Sequence, residues 1–170
     1  EQYSYSIKSI KYINTLEQFN IVCLKLKYLN KLEFGWSFNH PIRVEKLPEG
    51  ITHLKFGRYF NQPISVESLP EGLTHLKFGG CFNQPISVES LSKGLTYLEF
   101  GDDFNQPISV ESLPEGLTYL KFGWSFNHPV GSFPEGITHL EFGWSFNHPV
   151  ESLPEGITHL EFGWSFNHPV

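Results

Sequence analysis

Apolar and polar positions along this chain recur on a fixed period. In Leu73-Thr74-His75-Leu76-Lys77-Phe78 the apolar residues are Leu73, Leu76 and Phe78, with His75 and Lys77 between them. This alternation predicts a short, half-buried strand with Leu76 and Phe78 inward and His75 and Lys77 outward. Gly79 ends the strand, and a turn leads into Phe82-Asn83-Gln84-Pro85-Ile86. A return segment then runs to Leu91, and a turn at Gly94 opens the next strand. Phe-Asn-(His or Gln)-Pro occurs seven times, with Asn39, Asn61, Asn83, Asn105, Asn127, Asn147 and Asn167; the first five lie 22 residues apart and the last two 20 apart. Such a period is the signature of a solenoid, in which each repeat buries its apolar face only against its neighbours. Successive strands are then parallel, and connections punctuated by Pro and Gly leave little room for a regular helix. The expected architecture is a β-rich, right-handed solenoid horseshoe, with a parallel sheet on the concave face and irregular or short 3₁₀ segments on the convex side.

Composition follows the period. Fourteen of 16 Phe, 13 of 15 Gly and all 12 Pro fall in columns, which leaves residues 1–28 as the irregular stretch. Ile7, Ile10 and Tyr12 lie 22 residues before Leu29, Leu32 and Phe34. Residues 1–28 are therefore read as a degenerate first repeat acting as an N-terminal cap, and 29–170 as tandem repeats. The period shortens after about residue 123, within the convex return, which predicts lower curvature over 124–170. The chain has no Met and stops within a repeat at Val170, as expected of a fragment or processed product with an open strand edge that invites pairing. No apolar run approaches the ~20 residues of a membrane span, and no signal-peptide pattern opens the chain. Cys23 and Cys81 belong to no column and read as incidental free thiols in a reducing compartment. The expected location is intracellular, in the cytoplasm, with no membrane partner.

Each polar column carries its own reading. Asn has both a donor and an acceptor, so Asn39 to Asn167 predict a ladder that satisfies backbone groups in a buried turn between coils. An outward strand column holds His53, His75, Tyr97, Tyr119, His139 and His159, beside Lys55, Lys77, Glu99, Lys121, Glu141 and Glu161. Neighbouring His residues such as His139 and His159 would lie about 4.8 Å apart, near enough to share a metal. Zinc sites usually need four ligands, however, and Tyr replaces His freely in this column, so no metal or other cofactor is expected. The mixed stripe reads instead as a contact surface for a protein partner. Trp36, Trp124, Trp144 and Trp164 occur in the four repeats that also carry His40, His128, His148 and His168. Two readings stay open for them: Trp packed locally against that His, or an aromatic rim exposed to a partner.

Charge is uneven. Residues 1–85 carry 10 Lys/Arg against 7 acids, and residues 86–170 carry 2 against 11. No basic stripe runs along the array, which excludes nucleic acid as a partner. A second acidic column, Glu45, Glu67, Glu89, Glu111 and Glu151, reads as a solvated convex face. A near-identical pair of repeats, 131–150 and 151–170, offers no unique catalytic constellation, and neither a phosphate loop nor a nucleophile beside a base is present. The chain is therefore read as non-enzymatic.

The motifs FNQPI (60–64, 82–86, 104–108), SLPEGLTHLKFG (68–79) and SLPEGLTYLKFG (112–123) resemble the FNIP repeat, a leucine-rich-repeat relative of social amoebae and of giant viruses that infect amoebae. The resemblance covers about residues 29–170. It implies a leucine-rich-repeat-like fold and an interaction module, preceded in some viral members by an F-box that recruits a ubiquitin ligase; no F-box is recognisable here. The functional expectation is a scaffold for protein–protein interaction, serving as the substrate-recognition part of a larger protein. A self-associating array joined end to end is the alternative.

Overall fold

The computed structural model describes residues 7–26, 28–42, 47–64, 69–87, 89 and 91–170. Eight strands form one parallel sheet in sequence order: β1 (Ser9–Ile13), β2 (Lys31–Phe34), β3 (His53–Lys55), β4 (His75–Lys77), β5 (Tyr97–Glu99), β6 (Tyr119–Lys121), β7 (His139–Glu141) and β8 (His159–Glu161). The fold is a β-solenoid of leucine-rich-repeat type. From β2 onward the register is set by the repeat itself: Leu32, Leu54, Leu76, Leu98, Leu120, Leu140 and Leu160 pair in turn. The return segments are largely irregular among the described residues, with a 3₁₀ turn at Val110–Ser112 and isolated bridges Ile64–Ile86 and Val130–Val150.

Two files of phenylalanine fill the core. Phe56, Phe78, Phe100 and Phe122 stack at 5.4–5.7 Å, and Phe60, Phe82, Phe104 and Phe126 stack at 6.1 Å. Within each coil the two files meet at about 4 Å, as in Phe78–Phe82 at 4.0 Å. Almost all of these rings are fully buried. Burial of each contributes about 1.5–3 kcal/mol, with a further increment from ring contact. Gly57, Gly79, Gly101, Gly123, Gly143 and Gly163 sit where each strand ends. A Cβ on Gly101 would stand 1.9 Å from the carbonyl oxygen of Gly79, and the same holds for the others within about 0.2 Å. Their φ values are negative, so close stacking of backbone on backbone, not turn geometry, requires glycine here.

Residues 7–26 depart from the sequence reading in two ways. Ser9 and Ile10 pair with Lys31 and Leu32 at the expected 22-residue spacing, but a bulge then shifts the register so that Ile13, not Tyr12, stands beside Phe34. Tyr12 takes φ 65° and is 67% exposed, while Ile13 is buried. The second departure is a helix, α1 (Leu16–Lys25), where an irregular return is expected. Thr15 accepts a hydrogen bond from the Gln18 amide, and the Gln18 side chain accepts from the Thr15 amide, a reciprocal capping box. Phe19, Val22 and Leu26 fall on one helical face and are buried, and Phe19 lies 5.6 Å from Phe34 and 6.0 Å from Phe38. The helix thus covers the first pair of stacked rings where no preceding coil does.

Candidate interaction surface

Parallel register sets the outward residues in files across the sheet. His53, His75, Tyr97, Tyr119, His139 and His159 form one continuous stack, with ring centroids 4.0, 5.6, 4.3, 6.0 and 5.2 Å apart. A threonine file anchors it from the residue before each strand. The hydroxyl of Thr74 donates to the Thr52 carbonyl at 3.0 Å, and Thr52, Thr96, Thr118, Thr138 and Thr158 repeat the bond. In Thr52, Thr74 and Thr138 the same oxygen lies 2.9 Å from Nδ1 of the following His. A hydroxyl has one proton, already given to the carbonyl, so its oxygen accepts from Nδ1–H and the neutral ring keeps a lone pair at Nε2. Partial burial, with Lys31 beside both rings, lowers the pKa of His53 and His75, and His75 adds to the effect on His53.

The neighbouring file is charged and largely self-paired. Lys55 binds Glu33 and Lys77 binds Glu99, each at 2.6 Å, and Lys121 binds Glu141. Tyr97 donates to Glu99 and Tyr119 to Glu141, both at 2.6 Å. Burial and these carboxylates push both phenols far above their usual range. Burial raises the Glu141 carboxyl, but hydrogen bonds from Lys121 and Tyr119 outweigh it and hold the group low. The tyrosines therefore bridge the two files over β5 and β6. Histidine does not reach across, and a cavity of about 220 Å³ opens over β1 to β4, beside His53 and His75, with Tyr97 of β5 closing its far end.

A wider trough lies on the other side of the charged file, floored by the close-packed glycines and rimmed by the Trp column. It comprises cavities of about 530 Å³ over β2 to β6 and about 500 Å³ over β6 to β8. Trp124, Trp144 and Trp164 stack on one another at 5.0 and 5.6 Å. Trp36 stands apart, with the Arg58 guanidinium 5.2 Å from its ring centre and Tyr59 against its edge. Trp36, Trp124 and Trp144 are 59%, 56% and 44% exposed, so this column is open to solvent. The His residues of the same repeats do not stack on it. His128, His148 and His168 turn back toward Phe126, Phe146 and Phe166 and place Nε2 3.1–3.2 Å from the carbonyls of Asn105, Asn127 and Asn147, one coil back.

The asparagines form a ladder through a single bond per step: the backbone N–H of Asn61 donates to Oδ1 of Asn39 at 2.9 Å, and Asn83, Asn105, Asn127, Asn147 and Asn167 repeat it. Unlike the expected buried turn, the ladder lies at the surface, half-buried to exposed. Gln62, Gln84 and Gln106 add a second donor to the preceding Oδ1 at 3.0 Å, whereas His reaches the backbone carbonyl. Both residues answer the same coil from the position after Asn, which accounts for their exchange.

Other expectations are simply located. His139 and His159 stack, and no group of three or more His, Cys, Asp or Glu among the described residues is placed to hold a metal ion. Cys23 and Cys81 are not joined in a disulfide. No helix among the described residues is long and apolar enough to cross a membrane. Glu89, Glu111 and Glu151 are exposed, while Glu45 and Glu67 lie outside the described residues. Sequence reasoning missed the threonine file, although Thr recurs at 52, 74, 96, 118, 138 and 158 as strictly as Asn does. It also missed the glycine floor and the Arg58–Trp36 pair.

With this geometry in hand, comparison with known proteins gives two results. The model of the FNIP Repeat matches residues 38–81, 82–125, 126–152 and 149–170. Among solved structures, the crystal structure of CroV588, a novel circular LRR protein from a giant virus, superposes with a TM-score of 0.82 at 48% sequence identity, covering 86% of this chain and 22% of that one. No curated protein matches.

Proposed function

Since the chain belongs to the FNIP repeat family, we propose that it is a non-enzymatic scaffold that holds a protein partner against its strand face and Trp-bearing rim. The observation that carries this reading is the pair of parallel recesses flanking the charged file, walled by stacked rings that a continuous ladder of backbone contacts keeps in place. Preset aromatic side chains lose little entropy on contact, and interfaces concentrate their binding energy in such residues. The test is a pull-down from amoebal lysate, with this chain as one bait and a His53→Ser, His75→Ser, His139→Ser, His159→Ser variant as the other. A protein held by the first and lost by the second supports binding on the strand face. Equal recovery removes that face from the reading.

A second reading is end-to-end self-association. It is favoured by β8 standing at the sheet edge in this structure, where unpaired backbone groups can template another strand. Solution mass against concentration tests it: a mass that stays monomeric across the range sets it aside.

A further inference from the structure

We infer that the exposed face of Trp124, with Asp102 beside it, is an arginine-binding site for an extended basic segment of a partner protein. This rests on the interaction reading above and specifies its chemistry. The rim column runs Trp36, Arg58, Gly80, Asp102, Trp124, Trp144, Trp164. At one end the molecule satisfies its own tryptophan: Arg58, one coil on, lays its guanidinium over Trp36. At Trp124 the arrangement is incomplete. Trp144 covers one face, while on the side of the preceding coils stand the short Asp102 and then Gly80, over which the Arg58 side chain passes without forming an ion pair with Asp102. Among the described residues no cation stands over Trp124 and no base pairs with Asp102.

The surroundings select a cation. Asp102, Glu141 and Glu161 line the recess against the single base Lys121, and Lys121 is already held by Glu141. A guanidinium fits better than an ammonium, because it is planar, stacks on an indole and presents a fork of N–H donors to a carboxylate at its edge. An extended segment fits because the trough runs across the strands. The charge excess of residues 86–170, 11 acids against 2 bases, steers such a segment to this end of the array.

The test uses fluorescence anisotropy with two labelled pentapeptides, Gly-Arg-Gly-Arg-Gly and Gly-Lys-Gly-Lys-Gly, at about 0.15 M salt, where contacts between distant surface charges are screened. The arginine peptide is expected to bind, the lysine peptide more weakly. Trp124→Ala should weaken arginine-peptide binding about tenfold and Asp102→Asn about fivefold, with Leu24→Ala, an exposed position on α1, unchanged. Both site positions are at the surface, Asp102→Asn is nearly isosteric, and circular dichroism confirms that each variant folds. Absence of arginine-peptide binding, equal binding by Trp124→Ala, or equal binding of the two peptides would overturn the site. Concentration-dependent dimerisation that Trp124→Ala abolishes would assign the face to a second copy and overturn it as well. The lysate experiment keeps the two claims separate. A partner recovered equally by Trp124→Ala leaves the scaffold standing and removes the arginine site. Arginine-peptide binding with no recovered partner upholds the site while the scaffold reading fails.

Discussion

The two halves of the rim trough share a backbone and differ in almost everything placed on it. Over β2 to β5 the charges are matched, Lys55 with Glu33 and Lys77 with Glu99, and the one tryptophan, Trp36, carries the Arg58 guanidinium over its ring. Over β6 to β8 acids outnumber bases and three tryptophans stack on one another without a cation. The Phe, Asn and Gly files run through both halves unchanged, and the Thr file through all but the β2 coil, where Asn30 stands in its place. Stability therefore resides in files that every coil repeats, and selectivity in the few positions that vary from coil to coil. A repeat array can alter its surface step by step because each coil contacts only its neighbours.

The common frame is tested by the largest effect. Phe104→Ala and Phe126→Ala each remove a buried ring stacked on both sides, and each should cost about 3–5 kcal/mol in chemical denaturation. Unequal costs would show that the halves differ in their cores as well as on their surface. Next comes glycine. Gly101→Ala drives a Cβ into a backbone carbonyl and should cost about 3 kcal/mol, whereas Gly116→Ala meets nothing within 4 Å and should stay within about 0.5 kcal/mol of the parent, read by the same denaturation curves.

The ladder distinguishes the halves more finely. Asn83→Ala strands both the Asn105 amide and the Gln106 side chain, and should cost about 2 kcal/mol. Asn127→Ala strands the Asn147 amide only, because His148 uses the backbone carbonyl, and should cost about 1 kcal/mol. Thermal melts of the two variants side by side provide the comparison. The smallest effect is the pH response of the His53–His75 pair. Their folded pKa values lie below the ordinary 6.5, so the unfolded chain takes up protons first as pH falls. Stability from this pair is full above 6.5 and declines below it. The double variant His53→Phe, His75→Phe keeps the stack and should flatten the melting temperature between neutral and mildly acidic pH; an unchanged slope would place the response elsewhere.

Much of this fold is legible in the sequence because the period is nearly absolute: once Leu76 and Phe78 are inward, every coil follows. The capping helix is a different matter. Thr15-Leu16-Glu17-Gln18, with Thr15 and Gln18 three apart and Phe19, Val22 and Leu26 on one face, carries an ordinary helix signature, obscured by aligning the stretch to the repeat. Tyr12 was misplaced for a related reason, since a bulge has no signal in a 22-residue spacing. The surface files were readable as columns, but their partners were not. That Tyr97 reaches Glu99 while His75 leaves a cavity depends on side-chain length across a gap that only the folded sheet defines.

One consequence of the ladders is mechanical. Threonine bonds precede each strand, sheet bonds run along it, and asparagine bonds follow the turn beyond it, with bridges such as Ile64–Ile86 on the return. Adjacent coils are thus fastened at several separated points around their perimeter, and bending the array in any direction stretches at least one line of fasteners. The molecule resists flexure as a beam does, and its aromatic rungs hold their spacing under load.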